Sequence, residues 1–393
     1  PEWRDNIRSA DADAVRHYRE AGAIVYGKTN VPLNLVEWQS FNVVYGSTSN
    51  PWDLTRTPGG SSGGSGVSLA CGMAALELGS DIGSSIRNPA HFNGVFGLKP
   101  TWNTVSKQGH SADGWVAETD IAVAGPLART ADDLALAFDL LAHPNRFDAS
   151  QWALNLPPDP RTRLKEFTVA LMPGDPVSPI DAGYEATLQA FAEKLEAAGA
   201  RVIRDRLPRI DSQEHFTLYL KLLGAALSAA MSDEEVAQVL ALFDDAPEDV
   251  RAVGGMRMSG LALSHREWMR LDNARRIARL KFDAFFAEGV DLIIAPVASG
   301  PAFPKDEEGF RPFRRIEING KQQLETLELF WSGYSGVVGL PSVVGPMDFV
   351  RGLPVGYQAI AGHGRDHTCL AFARAAEREI AAFTPPPLVK RGA

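Results

Sequence analysis

Two short segments of this chain set small hydroxyl side chains among glycines. Residues 58–64 read Pro-Gly-Gly-Ser-Ser-Gly-Gly, and residues 81–87 read Asp-Ile-Gly-Ser-Ser-Ile-Arg. Glycines let backbone come close to a ligand, and the second segment adds a run of N–H groups beside a serine. Acyl transfer through serine needs both an exposed Oγ and donors aimed at the oxyanion it creates. It also needs a base, because a bare hydroxyl is a poor nucleophile. None of the eight histidines stands in a recognisable motif beside Ser61 or Ser85. His91 is the nearest to Ser85 and reads as a packed ring. A neutral lysine relayed through a second hydroxyl would serve instead, if burial and neighbours lower its pKa. Lys28 in Gly-Lys-Thr-Asn and Lys99 in Gly-Leu-Lys-Pro are the available lysines.

Other chemistries fit the first segment less well. A flexible Gly/Ser linker would not lead at once into apolar Val67-Ser68-Leu69-Ala70 and a helix-like stretch. The Gly-Lys-Ser/Thr ending of a phosphate-binding loop is absent. Gly60–Gly64 fits the Gly-x-Ser-x-Gly pattern of a nucleophile elbow, but that turn follows a strand, and residues 53–58 make a poor one. For the second segment, a tight turn with purely geometric glycines is the competing reading.

The elements that must position these serines follow a recurring pattern. In residues 11–26, Val15, Tyr18 and Ala21 fall at helical spacing, Gly22 stops the helix, and Ala23–Tyr26 reads as a buried strand. The pattern returns at 184–203, around Gly199, and at 280–296, around Gly289. Three such units predict an α/β protein with a largely buried sheet. Residues 143–166 read as a surface connection and 301–312 as loop. The stretch 211–280 is helical by pattern and lacks strands; it reads either as a helical cap over a site or as packed scaffold. The Pro-rich tail from Thr384, ending in Lys390-Arg391, reads as a mobile terminus. Among the aromatic residues in expected loops, Trp331 and Tyr334, flanked by Ser332, Gly333, Ser335 and Gly336, are the best candidates for substrate binding.

The 393 residues are 45% hydrophobic and 22% charged, as in an ordinary soluble globule. A net charge of −9 argues against a nucleic-acid surface. No run of apolar residues is long enough for a transmembrane segment, and no signal peptide is visible. Cys71 and Cys369, far apart and without metal-ligand spacing, read as buried free thiols in a reducing, cytoplasmic compartment.

The two segments, followed by Gly97-Leu98-Lys99-Pro100-Thr101, resemble the amidase signature family. The likeness is dense from about residue 27 to 130 and returns at Gly339-Leu340-Pro341 and Gly352–Gly356. It implies one α/β domain over residues 1–393, with a mixed, mostly parallel sheet covered by helices. The implied activity is hydrolysis of a small-molecule carboxylic amide through an acyl-serine, with no metal or organic cofactor. By the same resemblance Ser85 is the nucleophile. Ser61 is the bridging serine of a Ser–Ser–Lys triad, behind a cis peptide bond. The N–H groups of Ile82, Gly83 and Ser84 form the oxyanion hole, and Ser62, Asp81 and Arg87 support the site. The family's lysine lies several dozen residues before the first segment, in a Val-Lys-Asp-like strand end. Residues 1–60 hold no such segment, so the expectation is that the native polypeptide extends before Pro1 and carries the base there. Lys28 and Lys99 belong to the family's scaffold. Two other readings stay open: a glutamine-hydrolysing subunit of a tRNA-dependent amidotransferase, and a non-catalytic member lacking the lysine. Whether the chain forms a homodimer also stays open.

Overall fold

The computed structural model describes residues 4–111, 115–309 and 311–390. Its centre is an eight-stranded sheet. In chain order the strands are β1 (Leu76–Asp81), β2 (Phe96–Lys99), β3 (Val123–Ala128), β4 (Thr168–Leu171), β5 (Arg201–Ile203), β6 (Leu292–Ala295), β7 (Ser342–Val350) and β8 (Leu353–Ala361). Across the sheet they run β1-β3-β2-β7-β8-β6-β4-β5. The helices that cover it are α1 (Gly63–Ala70), α2 (Arg87–Asn93), α3 (Ala131–Leu141), α4 (Ala182–Ala197), α5 (Ser212–Ser228), α6 (His265–Ala287), α7 (Leu329–Gly336) and α8 (Asp366–Glu379).

The α/β fold with a mixed sheet agrees with expectation, but the balance of directions does not. Only β6–β4 and β4–β5 are parallel; the other neighbours are antiparallel. The parallel pairs are those fed by the helix–Gly–strand units: β4, α4, Gly199 and β5 form a βαβ crossover, and α6 leads through Gly289 into β6. Among the antiparallel pairs, β7 and β8 are joined by a tight turn. Between β7 and β8 only Arg351 and Gly352 intervene, both at positive φ (51° and 78°), the geometry of a two-residue hairpin.

The third expected strand, Ala23–Tyr26, does not form. Helix Asp13–Glu20 is present and Gly22 ends it at φ 90°, but Ile24, Val25 and Tyr26 are 88%, 51% and 72% exposed. A strand needs a pairing neighbour for its N–H and C=O groups. None of the described residues supplies one; the segment is tied down by the Tyr26 hydroxyl, which donates to Met73 O at 2.6 Å.

Cores lie on both faces of the sheet. One gathers α3, α4 and α8, with Phe138, Tyr184, Phe191 and Phe372 fully covered. The other gathers α5, α6 and α7, with Tyr219, Phe282, Phe330 and Trp331. Residues 211–280 are helical as expected: besides α5 and α6 they hold helices Asp233–Ala241 and Glu248–Met258. Ser264 caps α6 by accepting from the Glu267 N–H, while Glu267 accepts from the Ser264 N–H. The tail is more ordered than its composition suggests, with a helical turn at Pro387–Lys390; Arg391 lies outside the described residues. Cys369 is buried, Cys71 half-buried, and the two are unpaired.

Candidate active site

The first glycine–serine segment folds back from an irregular stretch and enters α1, with Ser62 at its N-cap. The second is the turn between β1 and α2. The two meet directly: the Ser62 N–H donates to the Ser85 carbonyl at 3.1 Å, and the Gly60 N–H donates to Asn88 Oδ1 at 3.2 Å. The Gly60–Ser61 peptide is cis, as the resemblance implied. A Cβ at Gly60 would collide with the Glu37 carbonyl, so the close approach there requires glycine. Ser40 Oγ fastens the segment by donating to Gly59 O (3.0 Å) and accepting from the Gly63 N–H (3.1 Å). Ser61 and Ser85 are 2% and 5% exposed.

Asp81 and Arg87 build the second turn. The Asp81 carboxylate accepts from the N–H of Ser84 (2.9 Å), Ile86 (3.2 Å) and Arg87 (3.3 Å). It also accepts from Arg87 Nε (3.0 Å) and Nη2 (2.9 Å). The rest of the guanidinium reaches Ser335 Oγ (3.0 Å), Gln358 Oε1 (2.7 Å) and Ser332 O (3.1 Å). Burial alone would raise the Asp81 carboxyl, but the Arg87 charge and hydrogen bonds override it and hold it below the usual carboxylate range. This arrangement engages one of the three N–H groups expected to be free. The Ser84 N–H is taken by Asp81, whereas among the described residues nothing accepts from the N–H of Ile82, Gly83 or Ser85. Ser84 itself sits at φ 74°, a costly left-handed conformation for a serine.

Two aromatic residues hold the turn from outside: Trp38, one of the aromatic residues of the expected loops, and Tyr219, which carried no sequence signal. Trp38 Nε1 donates to Gly83 O at 2.6 Å, and the Tyr219 hydroxyl donates to Ile82 O at 2.9 Å. With the carbonyls of residues 82 and 83 fixed in this way, the N–H groups that share their peptide planes, those of Gly83 and Ser84, are fixed too. A Cβ at Gly83 would lie 3.2 Å from Leu329 Cδ2 and 3.5 Å from Tyr219 Oη, so these side chains cover the turn.

Trp331 and Tyr334 are not in a lining loop. Both lie in α7 and are buried, because Ser332, Ser335 and the glycines give that helix a small face that packs beneath Arg87 and Tyr219. Tyr334 is an aromatic-core residue, its ring 5.4 Å from Phe282 and its carbonyl 3.1 Å from His215 Nε2. Trp331 has an indole N–H without a partner among the described residues.

His91 is a packed ring, as expected. Its Nδ1 accepts the Gly356 N–H at 2.8 Å, so Nε2 carries the hydrogen toward Gly300 O at 3.0 Å, and burial pushes the ring down to about 4. Lys28 is exposed. Lys99 is buried behind the turn, donates to Pro100 O at 3.1 Å, and is pushed down to about 7 by burial and then by the Arg87 charge. Neither lysine is hydrogen-bonded to Ser61 or Ser85. Among the described residues no group of three or more His, Cys, Asp or Glu could hold a metal ion, and no helix is long and apolar enough to cross a membrane.

The chain as a whole is similar to known proteins. A family model described as Amidase matches residues 1–370. The chain is 31% identical to an indoleacetamide hydrolase of Bradyrhizobium diazoefficiens over 96% of its own length and 69% of that protein's. It is 32% identical to one of the subunits of the glutamyl-tRNA(Gln) amidotransferase of Thermus thermophilus, over 94% and 78%. The crystal structure of the Thermotoga maritima counterpart superposes with a TM-score of 0.78 at 25% identity, covering 98% of this chain and 81% of the other. The chain belongs to the amidase family and is an amidohydrolase acting on linear C–N bonds.

Proposed function

We propose that Ser85 is the nucleophile of this amidohydrolase and that hydrolysis proceeds through an acyl-enzyme on its Oγ. The observation that carries the reading is the turn at residues 82–85: three N–H groups without acceptors surround a serine whose neighbours are fixed by Asp81, Trp38 and Tyr219. Ser85 Oγ attacks the amide carbon, and its proton passes to Ser61. The oxyanion is received by the N–H groups of Ile82, Gly83 and Ser85, rather than that of Ser84. One such donor is worth about 3–4 kcal/mol of barrier. Ser61 returns a proton to the leaving nitrogen, and water then attacks the acyl-serine and releases the acid. The relay requires a base at Ser61, a lysine by the family resemblance. Ser62, Asp81 and Arg87 position the two turns, and Trp331 with its unpartnered indole N–H is the better of the two substrate-binding candidates.

Residues 211–280 serve as a cap in this reading, since Tyr219 reaches from α5 onto the turn itself. The two unpaired cysteines favour a cytoplasmic setting, and the net charge of −9 favours a small-molecule partner over nucleic acid. The test is turnover of simple primary amides by the native polypeptide, followed by ammonia release. Ser85→Ala is expected to abolish it and Ser61→Ala to lower it by orders of magnitude, both with unchanged unfolding midpoints. Full turnover by Ser85→Ala would refute the assignment. Activity only in the presence of a partner protein would favour the amidotransferase reading instead.

A further inference from the structure

Helix α6 carries a second apolar stripe on the side away from the core. Its inner face buries Asp272, Arg275, Phe282 and Phe285. Met269, Asn273, Ile277, Leu280 and Ala284 follow one another by three or four residues, so they line up along the opposite face. Met269, Ile277 and Leu280 are 47%, 51% and 66% exposed. Cations border the stripe. Arg266, Arg270 and Lys281 are exposed, and none of them has an ion pair among the described residues. The stretch from Ser232 to Glu248 has the opposite charge. It holds Asp233, Glu234, Glu235, Asp244, Asp245 and Glu248, with neither lysine nor arginine. Among the described residues no cation pairs with any of these carboxylates. Helix Asp233–Ala241 within it has no buried residue, and Leu242 after it is 53% exposed.

Solvated charge is ordinary on a protein surface, but a continuous apolar stripe marks a place where something binds. Charge complementarity says what. A cationic apolar face and an anionic one stand on the same chain, and no ion pair joins them within it among the described residues. Their positions allow them to meet between two copies. Helix α5 packs against both α6 and helix Glu248–Met258, into which the acidic stretch leads, so both patches belong to one side of the molecule. A two-fold axis there brings each α6 against the acidic stretch of the other copy and makes the same contact twice. The 23 residues of α6 span about 34 Å. A face of that length and ~10 Å width, with the acidic stretch beside it, offers roughly 700 Å² on each protomer, close to the size of a standard specific interface. We infer that a second copy of this chain covers this face, with α6 of each protomer lying on residues 232–248 of the other. The inference does not depend on which serine reacts. The contact would also brace α5, whose Tyr219 hydroxyl holds the Ile82 carbonyl.

The test is sedimentation velocity of the native polypeptide at micromolar concentration, in low and in high salt. The wild type is expected at twice the mass of one chain, with a dimer that weakens as salt screens the paired charges. Ile277→Asp/Leu280→Asp sets carboxylates on the seam and should give monomers. Arg270→Glu/Lys281→Glu should raise the dimer dissociation constant at least about tenfold, and Asp244→Lys/Asp245→Lys should do the same. Combining the two charge reversals should restore most of the affinity, because each α6 would again face the opposite charge. All these residues are exposed, so the unfolding midpoints should stay near the wild-type value, and the salt response of the wild type is read without any substitution. A monomeric wild type would overturn the inference, as would a dimer that Ile277→Asp/Leu280→Asp leaves intact. No recovery in the combined variant would overturn the pairing of α6 with residues 232–248. A wild type that stays monomeric alone but forms a stoichiometric complex with a different protein through α6 would also overturn it, in favour of a hetero-partner.

Discussion

Replacing Arg87 by Met should nearly unfold the protein, and the structure says why. Arg87 and Asp81 are fully buried, and the guanidinium makes two of the five hydrogen bonds that Asp81 accepts. Methionine fills similar volume but leaves the carboxylate facing only the N–H groups of Ser84, Ile86 and residue 87. Removing one partner of a buried ion pair costs about 3–5 kcal/mol. Gln358 Oε1 loses its 2.7 Å donor as well, which adds about 1 kcal/mol or more. Domains are commonly stable by only about 5–15 kcal/mol, so the urea midpoint should fall steeply. The pH dependence should change sign. In the wild type the Asp81 carboxyl is held below its ordinary value, so its contribution is present above the unfolded pKa and is lost as pH falls through the folded one. Without Arg87 burial dominates and the carboxyl rises above its unfolded value, so stability then declines as pH rises through that range. In the double variant Asp81→Asn/Arg87→Met the uncompensated charge is gone, so the double should be less destabilised than the sum of the two singles by about 2 kcal/mol or more. Urea unfolding of the four proteins of the cycle at neutral and acid pH is the assay. A cost under about 1 kcal/mol for Arg87→Met, or strict additivity in the cycle, would refute the reasoning.

Trp38→Phe keeps the ring but removes the 2.6 Å donor to Gly83 O; a loss of about 1 kcal/mol in turn rigidity should lower kcat several-fold with little effect on the unfolding midpoint, and an unchanged kcat would deny Trp38 this role. Lys99, pushed down to about 7 from 10.5, binds fewer protons folded than unfolded between those values, so stability should rise with pH across that window. Lys99→Met should flatten the rise and raise stability at neutral pH; an unchanged slope in pH-dependent unfolding would contradict the burial argument.

The candidate site is legible in the sequence because its two segments are local. Pro58–Gly64 and Asp81–Arg87 carry their serines, glycines and supporting acid–base pair within a few residues each, and the glycine stops at Gly199 and Gly289 mark the parallel units. What depends on distant packing is hidden. Nothing in residues around Trp38 or Tyr219 announces that their N–H and O–H groups bond the carbonyls of Gly83 and Ile82. By motif the Ser84 N–H is an oxyanion donor, but the Asp81 carboxylate, three residues away, takes it. The glycines and serines of Trp331–Gly336 suggest a loop, yet they form the close-packing face of α7. Ala23–Tyr26 has a strand's composition, but pairing is a property of neighbours rather than of the segment.

The most direct measurement is the site of covalent capture. Incubation of the native polypeptide with a fluorophosphonate, followed by peptide mapping in a mass spectrometer, should place the adduct on Ser85, and Ser85→Ala should take up none. An adduct on Ser61, or on any serine outside the turn at 82–85, would contradict the account.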